Sequence, residues 1–141
     1  MNKIQQKILA TFGCYFSDLT LVAWFYYQAT NYGKYSQAIG SKLDSPDFQL
    51  QFYRIFLQSL TFMLLLFIIS QTVVYVLAWR NFRSAYFYLK FFSVFAFAIS
   101  IYIVFSNSAF ATLPAIFYLF GYYVFAKEFK ESTAKLQKLH L

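Results

Sequence analysis

Residues 91–126 carry no charged side chain, and neither do residues 55–79. Runs of that length with nothing to ionise point to a membrane, where ~20 mostly apolar residues make one helical crossing. The longer run exceeds one crossing, and its polar cluster Ser106, Asn107, Ser108 supplies a break. A third span over 85–105 and a fourth over 109–126 are therefore expected, joined by a very short turn. Residues 8–28 form a further apolar run, interrupted only by Asp18. The pattern predicts an all-α membrane protein: a four-transmembrane-helix bundle in one domain over residues 1–141, with spans at 8–28, 55–79, 85–105 and 109–126.

Composition agrees. The chain is 60% hydrophobic and 12% charged, about half the charged share of a soluble domain, and a water-soluble fold of this size could not hide so much apolar surface. A net charge of +7 raises the question of nucleic acid, but the basic residues fall in short clusters at segment ends rather than in a stripe. No nucleic-acid partner is expected. Sorted by loop, they set the orientation, because cytoplasmic loops are enriched in Lys and Arg. With both termini inside, Lys3, Lys7, Arg80, Arg83, Lys90, Lys127, Lys130, Lys135 and Lys138 lie inside, against Lys34, Lys42 and Arg54 outside. That asymmetry predicts N-in and C-in, and in a bacterium the inner membrane. Lys3 and Lys7 before an apolar run resemble the start of a signal peptide, but Asp18 would interrupt its apolar region. The segment is expected to be a retained span.

The outer connection, 31–53, is polar and ends in Asp44, Ser45, Pro46 and Asp47, a helix-start signal with proline in the first turn. The second helix is therefore expected to begin near Pro46, outside the hydrocarbon. In the tail, 127–141, Lys127, Glu131 and Lys135 follow at intervals of four, a spacing that supports a short cytoplasmic helical extension. Phe129, Leu136 and Leu139 give it a narrow apolar stripe, and the only histidine, His140, lies there.

Asp18 is the only acid within the spans, and an ionisable group at bilayer depth has a task or a partner. At ~1.5 Å per helical residue it lies ~16 Å from the cytoplasmic edge. Gln71, Ser93 and Tyr118 come out ~12 to 14 Å deep on the other three helices by the same rise. All three can donate hydrogen bonds to a carboxylate. Lys90, ~8 Å deep, either reaches toward Asp18 or snorkels to the interface. Ser17 and Thr20 flank Asp18, and with it and the Gln71 layer they are candidates for an intramembrane polar or ion pathway. Helix packing is expected at Gly13 and Ser17 and along Ala10, Cys14 and Asp18, all at small-residue spacings of four. Ala111, Ala115 and Gly121 are the packing candidates on the fourth helix, whose Pro114 is expected to kink or soften the first turn.

Several classes are excluded. Cys14 is the only cysteine, so there is no internal disulfide, and it is read as a small buried hydrophobe. The spans contain no histidine and one acid, so no metal site, cofactor or enzymatic activity is expected. Two functions fit. In the first, a homo-oligomeric channel or small transport protein repeats Asp18 as a cation-attracting ring between copies. In the second, the chain is an accessory or assembly subunit of a larger membrane complex, with Asp18 paired to a basic residue on a partner span. The partners are then the lipid bilayer and either a second copy or another membrane protein. A structural role for Asp18, satisfied inside the bundle, is the third expectation.

Overall fold

The computed structural model describes residues 2–39, 46–106 and 109–139, with side chains for all of these except 38, 39, 46 and 135–139. Among the described residues five α-helices follow one another: α1 Lys3–Ala29, α2 Tyr32–Ile39, α3 Pro46–Trp79, α4 Arg83–Phe105 and α5 Thr112–Leu139, the last preceded by a 3₁₀ turn, Ala109–Ala111. Four stretches are long and apolar enough to cross a membrane: Lys3–Ala29, Asp47–Trp79, Arg83–Phe105 and Ala109–Ala134. The helices overrun the predicted spans at several ends. The outer connection holds α2, which hydropathy did not reveal, and α5 runs through the end of the fourth span into the tail. The Asp44, Ser45 cap, the Asn107, Ser108 break and His140 lie outside the described residues, as do the side chains of Leu136 and Leu139.

Helix ends follow local chemistry. Gln5 Oε1 accepts from the Asn2 backbone N–H at 3.0 Å, the reach-back half of a capping box. α1 closes on Thr30, whose N–H and hydroxyl bond Tyr26 and Tyr27 carbonyls. Asn31 Oδ1 then accepts from Lys34 N–H, the N-cap arrangement for α2. Pro46 is the first residue of α3 and Asp47 lies in its first turn, where an acid complements the helix dipole.

The α3–α4 turn is the most informative local structure. Asn81 has φ 64°, its N–H bonds the Ala78 carbonyl, and Phe82 N–H bonds the Leu77 carbonyl. That pair of bonds around a left-handed residue is a Schellman C-cap, with asparagine where glycine is commoner. Pro114 lies in the first turn of α5 and is fully buried. A helix's first four N–H groups have no intrahelical partner in any case, so the missing donor there breaks no ladder bond.

The chain divides into two compact units, residues 1–21 with 70–141, and residues 22–69. In the first, α4 and α5 pack along each other. The buried face of α4 includes Leu89, Ser93, Ala96, Ser100 and Ile103, alternating steps of four and three that match a 3.5-residue seam. On the 3₁₀ turn and α5, Ala111, Pro114, Tyr118, Gly121 and Phe125 step the same way. α1 runs antiparallel to α5: Lys3 pairs with Glu128 and Glu131, Cys14 bonds the Phe117 carbonyl, and Asp18 meets Tyr118. Glu131 thus takes part in an interhelical ion pair with Lys3, while the Lys135 side chain lies outside the described residues. In the second unit, Tyr53 packs against Tyr32 and Tyr35 at ring distances of 5.0 and 4.8 Å and donates to the Ala29 carbonyl.

Burial is inverted relative to a soluble protein. Small and polar groups face inward, including Ala10, Ser17, Asp18, Gln71, Ser93 and Ser100, while Phe105, Tyr102 and Phe95 are 84%, 73% and 69% exposed. Without a hydrophobic drive between helices in lipid, close approach of small residues and interhelical hydrogen bonds hold spans together. The glycines show how close that approach is. A Cβ at Gly121 would overlap Cys14 Sγ, and one at Gly13 would overlap the Phe117 ring. Gly121→Ala is therefore expected to cost about 1–3 kcal/mol, in the range of overpacking. Cys14→Ala should remove most of that penalty, and thermal unfolding in detergent of both single variants and the double variant tests it. An equal loss in the two backgrounds would show that the thiol is not the obstacle.

Candidate functional site

Asp18 is 4% exposed and lies on the buried face of α1. Tyr118 Oη, from α5, donates to Oδ1 at 2.5 Å, and Tyr75 Oη, from α3, donates to Oδ2 at 2.9 Å. One carboxyl thus joins three helices, with each oxygen taken by a different phenol. Tyr75 is itself placed by Tyr15, whose ring meets it edge-on at 5.5 Å and whose hydroxyl is 3.0 Å from Thr72 Oγ1. Phe92 of α4 packs edge-on against Tyr118 at 6.4 Å.

Backbone geometry explains why these residues meet. Side chains on a helix lean toward its N-terminus. α1 is antiparallel to the facing parts of α3 and α5, so Asp18 leans one way and the two tyrosines lean the other. Tyr75 is therefore brought up to a carboxyl whose Cα lies deeper.

The other predicted partners are engaged elsewhere. Gln71 Nε2 donates to Tyr88 Oη at 2.9 Å, and its Oε1 is buried with no partner among the described residues. The Ser93 hydroxyl and the Cys14 sulfur both lie against Gly121, and Cys14 Sγ donates to the Phe117 carbonyl at 3.3 Å. The Lys90 ammonium lies over its neighbour's ring, Phe91, at 5.4 Å. Of the three donors expected around Asp18, Tyr118 reaches it, whereas Gln71 and Ser93 do not, and Lys90, for which reaching Asp18 was one of two alternatives, does not either. Ser17 and Thr20 hydroxyls return to carbonyls of their own helix, Gly13 and Phe16. A hydroxyl that bonds back four residues is satisfied without a neighbour. Gly13, Ala111, Ala115 and Gly121 are all buried.

Tyr75 is the residue that sequence reasoning missed. Its Cα, four residues before Trp79, is only ~6 Å along the helix from that residue, outside the layer of Gln71, Ser93 and Tyr118. A signal existed, since Tyr75 follows Gln71 by four residues and so shares its face. Chemically, the site is a carboxyl saturated by two hydroxyl donors in a wall of aromatic and small residues. Among the described residues, no group of three or more His, Cys, Asp or Glu could hold a metal ion.

Interhelical hydrogen bonds between spans contribute about 0.6 kcal/mol on average and up to about 1.7. Tyr118→Phe and Tyr75→Phe are each expected to lower stability within that range. The double variant should lose more than the sum, because the second change leaves a buried carboxyl without a donor. Asp18→Leu in the Tyr75→Phe, Tyr118→Phe background should recover part of the loss, and detergent unfolding midpoints across the cycle measure all of these. Strict additivity would show that the two phenols do not share one acceptor.

No family model, no curated protein and no solved structure matches this chain.

Proposed function

We propose that this is a multi-pass membrane protein with both termini in the cytoplasm. Its spans form a rigid bundle that serves as a non-enzymatic accessory or assembly subunit of a larger membrane complex. The observation that favours this reading over a channel is the saturation of Asp18 inside one chain, which also means that contact with a partner runs through the apolar outward faces and not, as expected from the sequence, through a base paired to Asp18. Both carboxyl oxygens are taken by Tyr75 and Tyr118 and the residue is 4% exposed. A channel built from several copies would need that carboxyl to face a water-filled axis, where it would attract cations. The apolar outward faces of α1 and α4, with Phe12, Phe16, Phe95 and Tyr102 exposed, support contact with lipid and with the spans of a partner.

Two measurements separate this from the homo-oligomeric channel or transport reading. Isolated in mild detergent, the tagged chain is expected to elute with a fixed stoichiometry of another membrane protein. A solitary monodisperse species would argue against the accessory role. Reconstituted in liposomes, it should support no cation flux that depends on Asp18. A flux removed by Asp18→Asn would favour the channel instead.

The orientation is tested separately. In a Cys14→Ala background, Ser36→Cys should react with a membrane-impermeant maleimide applied from outside, and Ser84→Cys should react only after the membrane is opened. The reverse pattern would invert the topology.

A further inference from the structure

One cavity has no part in the Asp18 cluster. It lies in the unit formed by residues 1–21 and 70–141, between the start of α1, the α3–α4 turn and the cytoplasmic part of α5, and measures about 660 Å³. That is within the roughly 300–1,000 Å³ range of small-molecule sites. Four basic side chains, Lys3, Lys7, Arg80 and Arg83, and two acids, Glu128 and Glu131, line it. Both acids are engaged by Lys3. Lys7, Arg80 and Arg83 have no ion-pair partner among the described residues.

Lys7 and Arg83 are held rather than dangling. Lys7 Nζ donates to Asn81 Oδ1 at 2.7 Å and to the Trp79 carbonyl at 3.3 Å, and lies over the Tyr86 ring at 5.4 Å. Asn81 is fixed in turn by its left-handed backbone and by Tyr86 Oη, which donates to the same oxygen at 3.0 Å. The Arg83 guanidinium stacks over Phe129 at 5.0 Å. α4 also begins here with Phe82 as its N-cap and no side-chain cap bond, so its first N–H groups add positive potential.

We propose that this cavity binds the phosphate of an anionic phospholipid headgroup. The ligand chemistry is a phosphate ester: guanidinium groups match its oxygens, and basic pockets between spans take lipid headgroups. The membrane rather than solution is its source, because the same wall carries apolar side chains open to the outside. Ile4, Trp79 and Phe82 are each at least half exposed, a strip along which an acyl chain can lie beside its bound headgroup. Trp79 belongs at such a polar and apolar boundary. The inference needs the spans to cross a bilayer, but it is independent of whether the protein is an accessory subunit or a channel.

The test uses the purified full chain, delipidated in detergent and titrated with phosphatidylglycerol or phosphatidylcholine while bound lipid is counted by native mass spectrometry. Wild type is expected to retain phosphatidylglycerol over phosphatidylcholine by roughly tenfold or more. The Arg80→Gln, Arg83→Gln variant should lose most of that preference with little change in unfolding midpoint, since both residues are exposed. The Lys34→Gln, Arg54→Gln variant, altered outside this cavity, should keep it. Equal retention of the two lipids by wild type would overturn the proposal, as would an equal loss in both charge variants. If inorganic phosphate displaced the lipid at concentrations near its own binding range, the site would be one for soluble phosphate, and the lipid assignment would fail.

Discussion

A carboxyl group inside an apolar helix has no water to bond, and the packing around α1 is built about that one constraint. Asp18 takes a hydroxyl from α3 and another from α5, so three helices share a single acceptor. A lone carboxyl cannot be left half-satisfied in such surroundings without a cost above that of one ordinary hydrogen bond. The arrangement therefore pins the register of α1 against both neighbours. The small residues around it follow from this. Gly13, Cys14, Ser17 and Gly121 bring α1 and α5 close enough for Tyr118 to reach the acid.

The same economy of polar groups runs through the rest of the unit. Ser17, Thr20 and Ser100 hydroxyls are returned to their own helices, while Gln71 finds Tyr88. The outward faces are aromatic and aliphatic. An accessory role fits a protein whose strongest polar cluster is consumed internally and whose outer surface is offered to lipid or to another span. The basic cavity at the α3–α4 turn stands apart from that cluster. It combines held cations with exposed apolar neighbours, the two properties that an anionic lipid needs.

Residue patterns alone made much of this legible. Uncharged runs marked the four long helices, because a span must be apolar over its whole length whatever its neighbours are. Pro46 and Asp47 announced the start of α3, and the isolation of Asp18 identified the acid that must find a partner. α2 was not legible, since its eight residues are polar and carry no span signal. The identity of the donors was only partly so. Depth arithmetic selected Gln71, Ser93, Lys90 and Tyr118, but depth says nothing of which way a side chain leans or how far a tyrosine reaches.

What the sequence determined by itself is thus the number, type and approximate extent of the long helices, and the need to satisfy one buried carboxyl. Both depend on local composition and on the cost of a charge away from water. What only the tertiary structure decided is which groups meet. Tyr75 replaces Gln71 at Asp18, Gln71 turns to Tyr88, and Lys7 is drawn to Asn81 by a left-handed C-cap rather than left in solvent. These choices depend on helix rotation and antiparallel lean, which arise from packing between distant segments and leave no trace in the spacing of any one of them.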